Sequence, residues 1–366
     1  MSLAPKPIME VPEETARIAH AAFPKGNIYV RMRDRLGVFF VDEQFASLFS
    51  QRGQPAFSPW RLALVSILQF AEDLSDRQAA DAVRGRIDWK YLLGLELEDP
   101  GFNYSVLSEF RQRLLAGNLE QHLLDTMLEV FAKDGLIKKR ATQRTDSTHV
   151  IAAVRHLNRL ETIGETMRST LNLIAEIAPE WIQELAPPEW YDRYGARVEE
   201  AKLPQKSKEK EAWIAAVAAD GLYLLNSIYT SETHHWLWQL PALRILWQVW
   251  IQHFHYLEGR LELRDAKGLP PASIRCDSPY DPEAHFSKKR STEWLGYKVH
   301  LTETCEEDKP HLITHIETTI APQSDANMTE PVHEALAAKG YLPNIHLVDA
   351  GYVDAEQLVD SQEQYE

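Results

Sequence analysis

A strand-like run carrying an aspartate occurs twice in this chain, and of the 193 residues that separate the two runs 116, over 153–268, carry mostly helical periodicity. The first run, 138–150, is rich in threonine, ends on Val150 and contains Asp146. The second, 344–351, passes through Ile345-His346-Leu347-Val348 to Asp349. β-Branched side chains favour a pleated, half-buried surface, so both runs read as strands, the second as a buried one. Between them, 153–268 carries helical spacing, including 175–185, 212–219 and 237–261. Then 296–305 and 311–320 read as two strands joined by a charged turn at 306–310. A short helix over 330–339 follows, stopped by Gly340. The order strand, long helical insertion, hairpin, helix, strand predicts an α/β layer, a meander with a right-handed crossover to a parallel strand.

With 366 residues the chain exceeds one ordinary core. The expected domains are a helical N-terminal domain over 1–137, the first strand of a second domain over 138–152, the helical insertion over 153–268, and the rest of that domain over 269–366. No stretch of about eighteen apolar residues suggests a membrane span, and residues 1–12 lack a signal-peptide core, so a soluble, cytoplasmic protein is expected. Cys276 and Cys305 form no CxxC pair, which argues against a zinc knuckle or a disulfide framework.

Net charge is −15, which is awkward for a partner of nucleic acid. The acidity is regional. Residues 1–140 hold 18 Lys and Arg against 19 Asp and Glu, a net of −1, so −14 falls on the remaining 226 residues. DNA contact is therefore expected at the front of the chain. There, about 58–135 reads as short helices with caps: Ser75 with Gln78, Asn118 with Gln121, and apolar Val106, Leu107, Phe110 and Leu114 at helical spacing. Such helices are compatible with a helix-turn-helix, in which Arg84, Arg86, Lys90, Arg111 and Arg113 face phosphates or groove edges; the alternative is that they are solvated helix faces. The basic runs Lys138-Lys139-Arg140 and Lys288-Lys289-Arg290 carry the same pair of readings, DNA positioning or solvated turn. The insertion holds Trp181, Trp190, Trp213, Trp236, Trp238, Trp247 and Trp250, expected to be core.

Asp146 and Asp349 lie 203 residues apart, yet the sheet can set them side by side. Two carboxylates at about 4 Å repel by about 4 kcal/mol at an effective dielectric near 20, so a proton or cation must compensate. Hard oxygen ligands suit Mg²⁺ or Mn²⁺, and such a site serves phosphoryl transfer. His149, His300 and His315 lie near these strands and His253 and His255 in the insertion, but their spacing does not make a zinc site, and His333-Glu334 meets Ala337 where a zinc protease needs histidine. No phosphate-binding GxxxxGK loop and no GxSxG elbow occurs.

Thr145-Asp146-Ser147-Thr148-His149, Gly296-Tyr297-Lys298-Val299-His300 and Leu347-Val348-Asp349-Ala350-Gly351-Tyr352 together resemble bacterial insertion-sequence transposases of the two-aspartate-plus-glutamate (DDE) type. Phe57-Ser58-Pro59 and Phe110-Arg111-Gln112-Arg113-Leu114 are similar to that family's helical N-terminal domain, and the resemblance runs from about residue 35 onward. It implies a ribonuclease H-like mixed sheet interrupted by the helical insertion and preceded by the all-helical domain. It also implies that Asp146 and Asp349 are catalytic, metal-binding carboxylates for Mg²⁺ (or Mn²⁺), and that the reaction is DNA cleavage and strand transfer. The implied partners are double-stranded DNA, both terminal inverted repeats and target, and further copies of the chain in a homo-oligomer.

The resemblance further implies a third carboxylate, a glutamate on a helix beyond another strand. Seventeen residues follow Asp349, too few for that route, and Glu356 and Asp360 are not expected to substitute. A C-terminally truncated, inactive transposase is the resulting expectation. The alternative is a non-catalytic DNA-binding or dimerising remnant acting as a regulator.

Overall fold

The computed structural model describes residues 1–138, 140–353 and 359. The chain divides into two compact units: Met1–Gln143 with Thr304–Thr314 and Leu336–Ile345, and Arg144–Glu303 with His315–Ala335 and His346–Glu366.

The first unit holds seven helices: α1 (Glu13–Ala22), α2 (Ile28–Leu36), α3 (Pro59–Ala71), α4 (Asp76–Gly85), α5 (Ile87–Leu93), α6 (Ser105–Ala116) and α7 (Glu120–Lys133). Local chemistry sets most boundaries. Asn27 accepts from the Val30 N–H and starts α2, proline at the first position starts α3, and Ser75 with Gln78 closes the anticipated capping box on α4. Asn118 does not cap α7: it takes a φ of 51°, and the helix begins after Leu119. The core packs Phe40, Phe45, Trp60, Leu64, Trp89 and Phe110.

The second unit begins in β1 (Thr142–Ile151) and continues through α8 (Arg159–Ile177), α9 (Pro179–Leu185), α10 (Pro188–Tyr194), α11 (Ser207–Thr230) and α12 (Pro241–His253). Asn158 and Glu161 form the box that starts α8. By length and composition α11 could cross a membrane, but a third of its apolar stretch is buried against other helices, and Asp220 on it pairs with Arg193. The helix expected over 237–261 stops at His253. Residues beyond it form a hairpin, β2 (Phe254–Leu257) and β3 (Arg260–Leu263), around Glu258 and Gly259 at positive φ. Trp190 and Trp250 are core as expected, whereas Trp236 and Trp247 are about half exposed.

Four further strands complete one five-stranded sheet: β4 (His285–Lys289), β5 (Thr292–Thr304), β6 (Ile313–Ile320) and, after α13 (Thr329–Ala338), β7 (Ile345–Val348). The sheet runs β4-β5-β1-β7, with β6 also on β5. β4 was not anticipated. Two bonds, Cys305 N–H to Thr142 C=O (3.0 Å) and Ala152 N–H to Leu295 C=O (2.9 Å), fix an antiparallel β1–β5 register in which Arg144 faces Glu303 and Thr145 faces Thr302. That pairing fills one edge of β5, so β4 and β6 share the other. Gly296 sits where the ladder is tightest: its φ is 154°, and a Cβ there would lie 2.6 Å from the Ala152 nitrogen and closer still to the Val150 carbonyl. The Asn344 N–H reaches the Arg140 carbonyl at 3.3 Å, so β7 and β1 start at the same level and run parallel. β7 is less buried than expected. Among the described residues it has one neighbour, β1, and Ile345 and Leu347 are 55% and 51% exposed.

Candidate active site

The parallel start of β1 and β7 decides where the two aspartates fall. Asn344 lies beside Ala141, and five residues further along each strand come Asp349 and Asp146. Side chains alternate across a strand. Thr145 and His346 share one face, joined Oγ1 to Nε2 at 2.7 Å, so alternation turns both Asp146 and Asp349 to the other face. Both carboxylates are exposed. One oxygen of Asp146 accepts from the Ser147 N–H at 2.7 Å, and one oxygen of Asp349 accepts from the Gly351 N–H at 2.9 Å, which leaves the second oxygen of each without a partner among the described residues.

Behind them lies a buried polar layer. The Thr145 hydroxyl also meets Thr302 at 2.7 Å, and His346 Nδ1 meets His333 Nε2 at 2.8 Å. Burial, aided by neighbouring His333, pushes the His346 pKa down to about 4, so that ring is neutral. His300, fully buried, contacts the Tyr352 hydroxyl at 2.7 Å, and burial lowers its pKa also. The Tyr352 phenol is raised by burial and, against a bond from Ser147, by the charges of Asp325, Asp146 and Asp349.

Asp325 and Tyr352 were not singled out by sequence as site residues. Tyr352 stood inside the quoted motif, whereas an aspartate in a loop such as that around Asp325 is an ordinary turn former. Asp325 accepts from Lys298 Nζ at 2.9 Å, and Lys289 lies 3.9 Å away. Among the described residues no group of three or more His, Cys, Asp or Glu converges to hold a metal ion. Two acceptor-only carboxylates with a free oxygen apiece nevertheless match the donor chemistry of a hard cation. Glu356 and Asp360 lie outside the described residues, as does Lys139.

The cationic candidates divide sharply. Lys90 is 3% exposed, and its ammonium donates to the carbonyls of Glu96 and Asp99, so it is an internal brace and not a phosphate contact. Arg86 commits its guanidinium to Glu72 and Asp88, Arg111 makes a bidentate pair with Asp76, and Arg113 donates to the Leu48 carbonyl over the Phe49 ring. These arginines hold the helices together; helical spacing alone does not reveal that partner carboxylates converge on them. Arg84 is exposed beside Asp81. Lys138 pairs with Glu306 and Asp308, and Lys288 with Glu293. Arg140 and Arg290 are exposed at positive φ, and Lys289 is exposed.

Of the histidines weighed as zinc ligands, His253 accepts from Arg159 Nε at 3.1 Å and His315 lies 3.4 Å from Glu317. Both cysteines are free thiols. No curated protein and no solved structure matches the chain. Residues 17–113, within the helical unit, match the family model described as Transposase domain (DUF772), and that match supports a transposase family.

Proposed function

We propose that the chain is a DDE-type transposase with a ribonuclease H-like catalytic domain, acting on double-stranded DNA at element ends and at a target. The observation that carries this reading is the pair Asp146 and Asp349, level on adjoining parallel strands, exposed and on one face. Three further features support it: the strand order β6-β5-β1-β7 across the sheet, the helical insertion after β1, and the transposase-domain match over residues 17–113. Asp146 and Asp349 would hold Mg²⁺ or Mn²⁺, which when bound lowers the cost of charge on the attacking and leaving oxygens of a phosphodiester. The chain's own part is to fix the two carboxylates. The Thr145–His346–His333 bonds pin β7 to β1, and the Ser147 and Gly351 amides each orient one carboxylate oxygen. DNA contacts would fall to exposed Lys289 and Arg290 in the second unit and, separately, to exposed Arg84 and Arg140 in the first. The setting is cytoplasmic and the active form an oligomer, as synapsis of two ends requires.

The absence of a third converging carboxylate among the described residues favours a second reading, a DNA-binding or dimerising regulator that does not cut. Nicking of terminal inverted-repeat duplex in Mg²⁺ or Mn²⁺ separates the two. The first reading expects cleavage that disappears in both Asp146→Ala and Asp349→Ala, and cleavage surviving either change sinks it. Binding without cleavage by the unaltered chain selects the regulator.

A further inference from the structure

A cleft of about 290 Å³ opens in the second unit where α8 begins, walled also by Phe286 and Leu295 of the sheet. Arg159, Arg275, His156 and His253 line it, with a single carboxylate, Asp277. Both Asp277 oxygens are occupied: one accepts from Arg275 Nε at 2.6 Å, the other from the Phe286 N–H at 2.8 Å. Arg275 keeps both terminal nitrogens without a partner among the described residues. Arg159 is unusual in that every acceptor it reaches is neutral: His253 Nδ1 at 3.1 Å and the carbonyls of His253 and Arg264 at 3.3 and 2.7 Å. Its Nη1 is free among the described residues, and Asp265 is the carboxylate whose charge it feels. Burial and then the two guanidinium groups drive the His253 pKa down to about 3.

We propose that this cleft binds a phosphate group, held by the free guanidinium nitrogens of Arg159 and Arg275, with exposed His156 at its mouth. Two arginine forks converging on one cavity suit a tetrahedral, multiply charged oxyanion better than a carboxylate, which one fork satisfies. The cavity exceeds a bare phosphate, and Leu157, Leu269 and Phe286 give an apolar wall for whatever carries it. Leu295 pairs with Ala152, six residues beyond Asp146 on β1. At about 3.3 Å per residue that is about 20 Å along the strand. Duplex DNA laid along β1 rises about 3.4 Å per base pair, so the phosphate gripped here would lie roughly six base pairs from the scissile one. This DNA source rests on the function proposed above; binding of a free phosphate does not.

The full chain is titrated with inorganic phosphate by calorimetry, and separately with a labelled duplex between about 50 and 200 mM salt. Arg159→Gln and Arg275→Gln are compared with Lys206→Gln, which removes one charge from an exposed pair with Glu209. Each arginine change is expected to weaken phosphate at least about tenfold and to lower the slope of log K against log salt by about 0.9, with Lys206→Gln leaving both unchanged. Phosphate loss with an unchanged DNA slope, or with no DNA binding by the unaltered chain, upholds the cleft and assigns it a free phosphate. An arginine variant that folds and binds both probes as the unaltered chain does, or an unaltered chain that binds neither, overturns the assignment. Arg275→Gln decides the matter if Arg159→Gln does not fold, since Arg275 is bonded to Asp277 alone.

Discussion

Replacing Gly296 with alanine tests the β1–β5 register on which the placement of Asp146 depends. The new methyl carbon would lie 2.6 Å from the Ala152 nitrogen and closer still to the Val150 carbonyl, where an ordinary van der Waals contact needs about 3.5 Å, so the strands must part by at least about 0.9 Å. That carries the 2.9 Å Ala152–Leu295 bond beyond hydrogen-bonding distance. The lost bond costs about 0.5–1.5 kcal/mol and the overpacking about 1–3 kcal/mol. The residue also keeps a φ of 154°, a strain of about 1–3 kcal/mol. Together these come to about 2.5–7.5 kcal/mol, a large share of the roughly 5–15 kcal/mol that holds a domain folded. Gly340→Ala is the control. It too has a positive φ, 75°, but no atom lies within 4 Å of its added methyl, so only the backbone strain is at stake. Amide hydrogen exchange at Ala152 gives the readout. At about 1.4 kcal/mol per tenfold, protection should fall by two orders of magnitude or more in Gly296→Ala, and the amide of Cys305, at the opposite end of the ladder, should be affected less. Exchange at Ala152 within about threefold of the unaltered chain would refute the β1–β5 register.

Thr145→Val removes the hydroxyl joining His346 to Thr302 and should cost about 1–3 kcal/mol by thermal unfolding, because a buried imidazole nitrogen then lacks its partner. Arg111→Ala should destabilise the helical unit by about 1–3 kcal/mol in the same assay by leaving Asp76 without its bidentate partner, while Arg84→Ala, on an exposed pair, should shift stability by less than about 0.5 kcal/mol. His253 and His346 have folded pKa values near 3 and 4, below the ordinary 6.5, so the unfolded chain binds protons that the folded chain refuses. Stability is therefore full above about pH 6.5 and falls as pH drops toward 4, by a few kcal/mol in total, and a urea midpoint that does not move between pH 7 and 5 would contradict their burial as neutral rings.

Much of the architecture was legible because it is written in local chemistry. Ser75 and Gln78 announce α4, the charged run at 306–310 announces the β5–β6 hairpin, and the threonine-rich run at 138–150 announces β1. Asp146 and Asp349 could be picked out because each sits on such a strand. Other features escaped sequence reading for reasons equally physical. The apolar pattern over 237–261 runs on past the end of α12, but Glu258 and Gly259 at positive φ fold its far part into a hairpin against β3, and only long-range pairing selects strand over helix there.

Sequence alone determined most element types and their order and singled out two carboxylates as candidates, since periodicity and capping act over a few residues, but it did not foresee β4 or the β2–β3 hairpin. Tertiary structure decided what each charged group is for. Lys90, Arg86 and Arg111 look like a groove face along the chain but are consumed by carbonyls of the loop after α5, by Asp88 and by the carboxylates of Glu72 and Asp76, whereas Arg159 and Arg275, 116 positions apart, meet in one cleft with nitrogens to spare. A charge is free or paired according to which distant groups the fold carries within about 4 Å, and no local pattern encodes that distance.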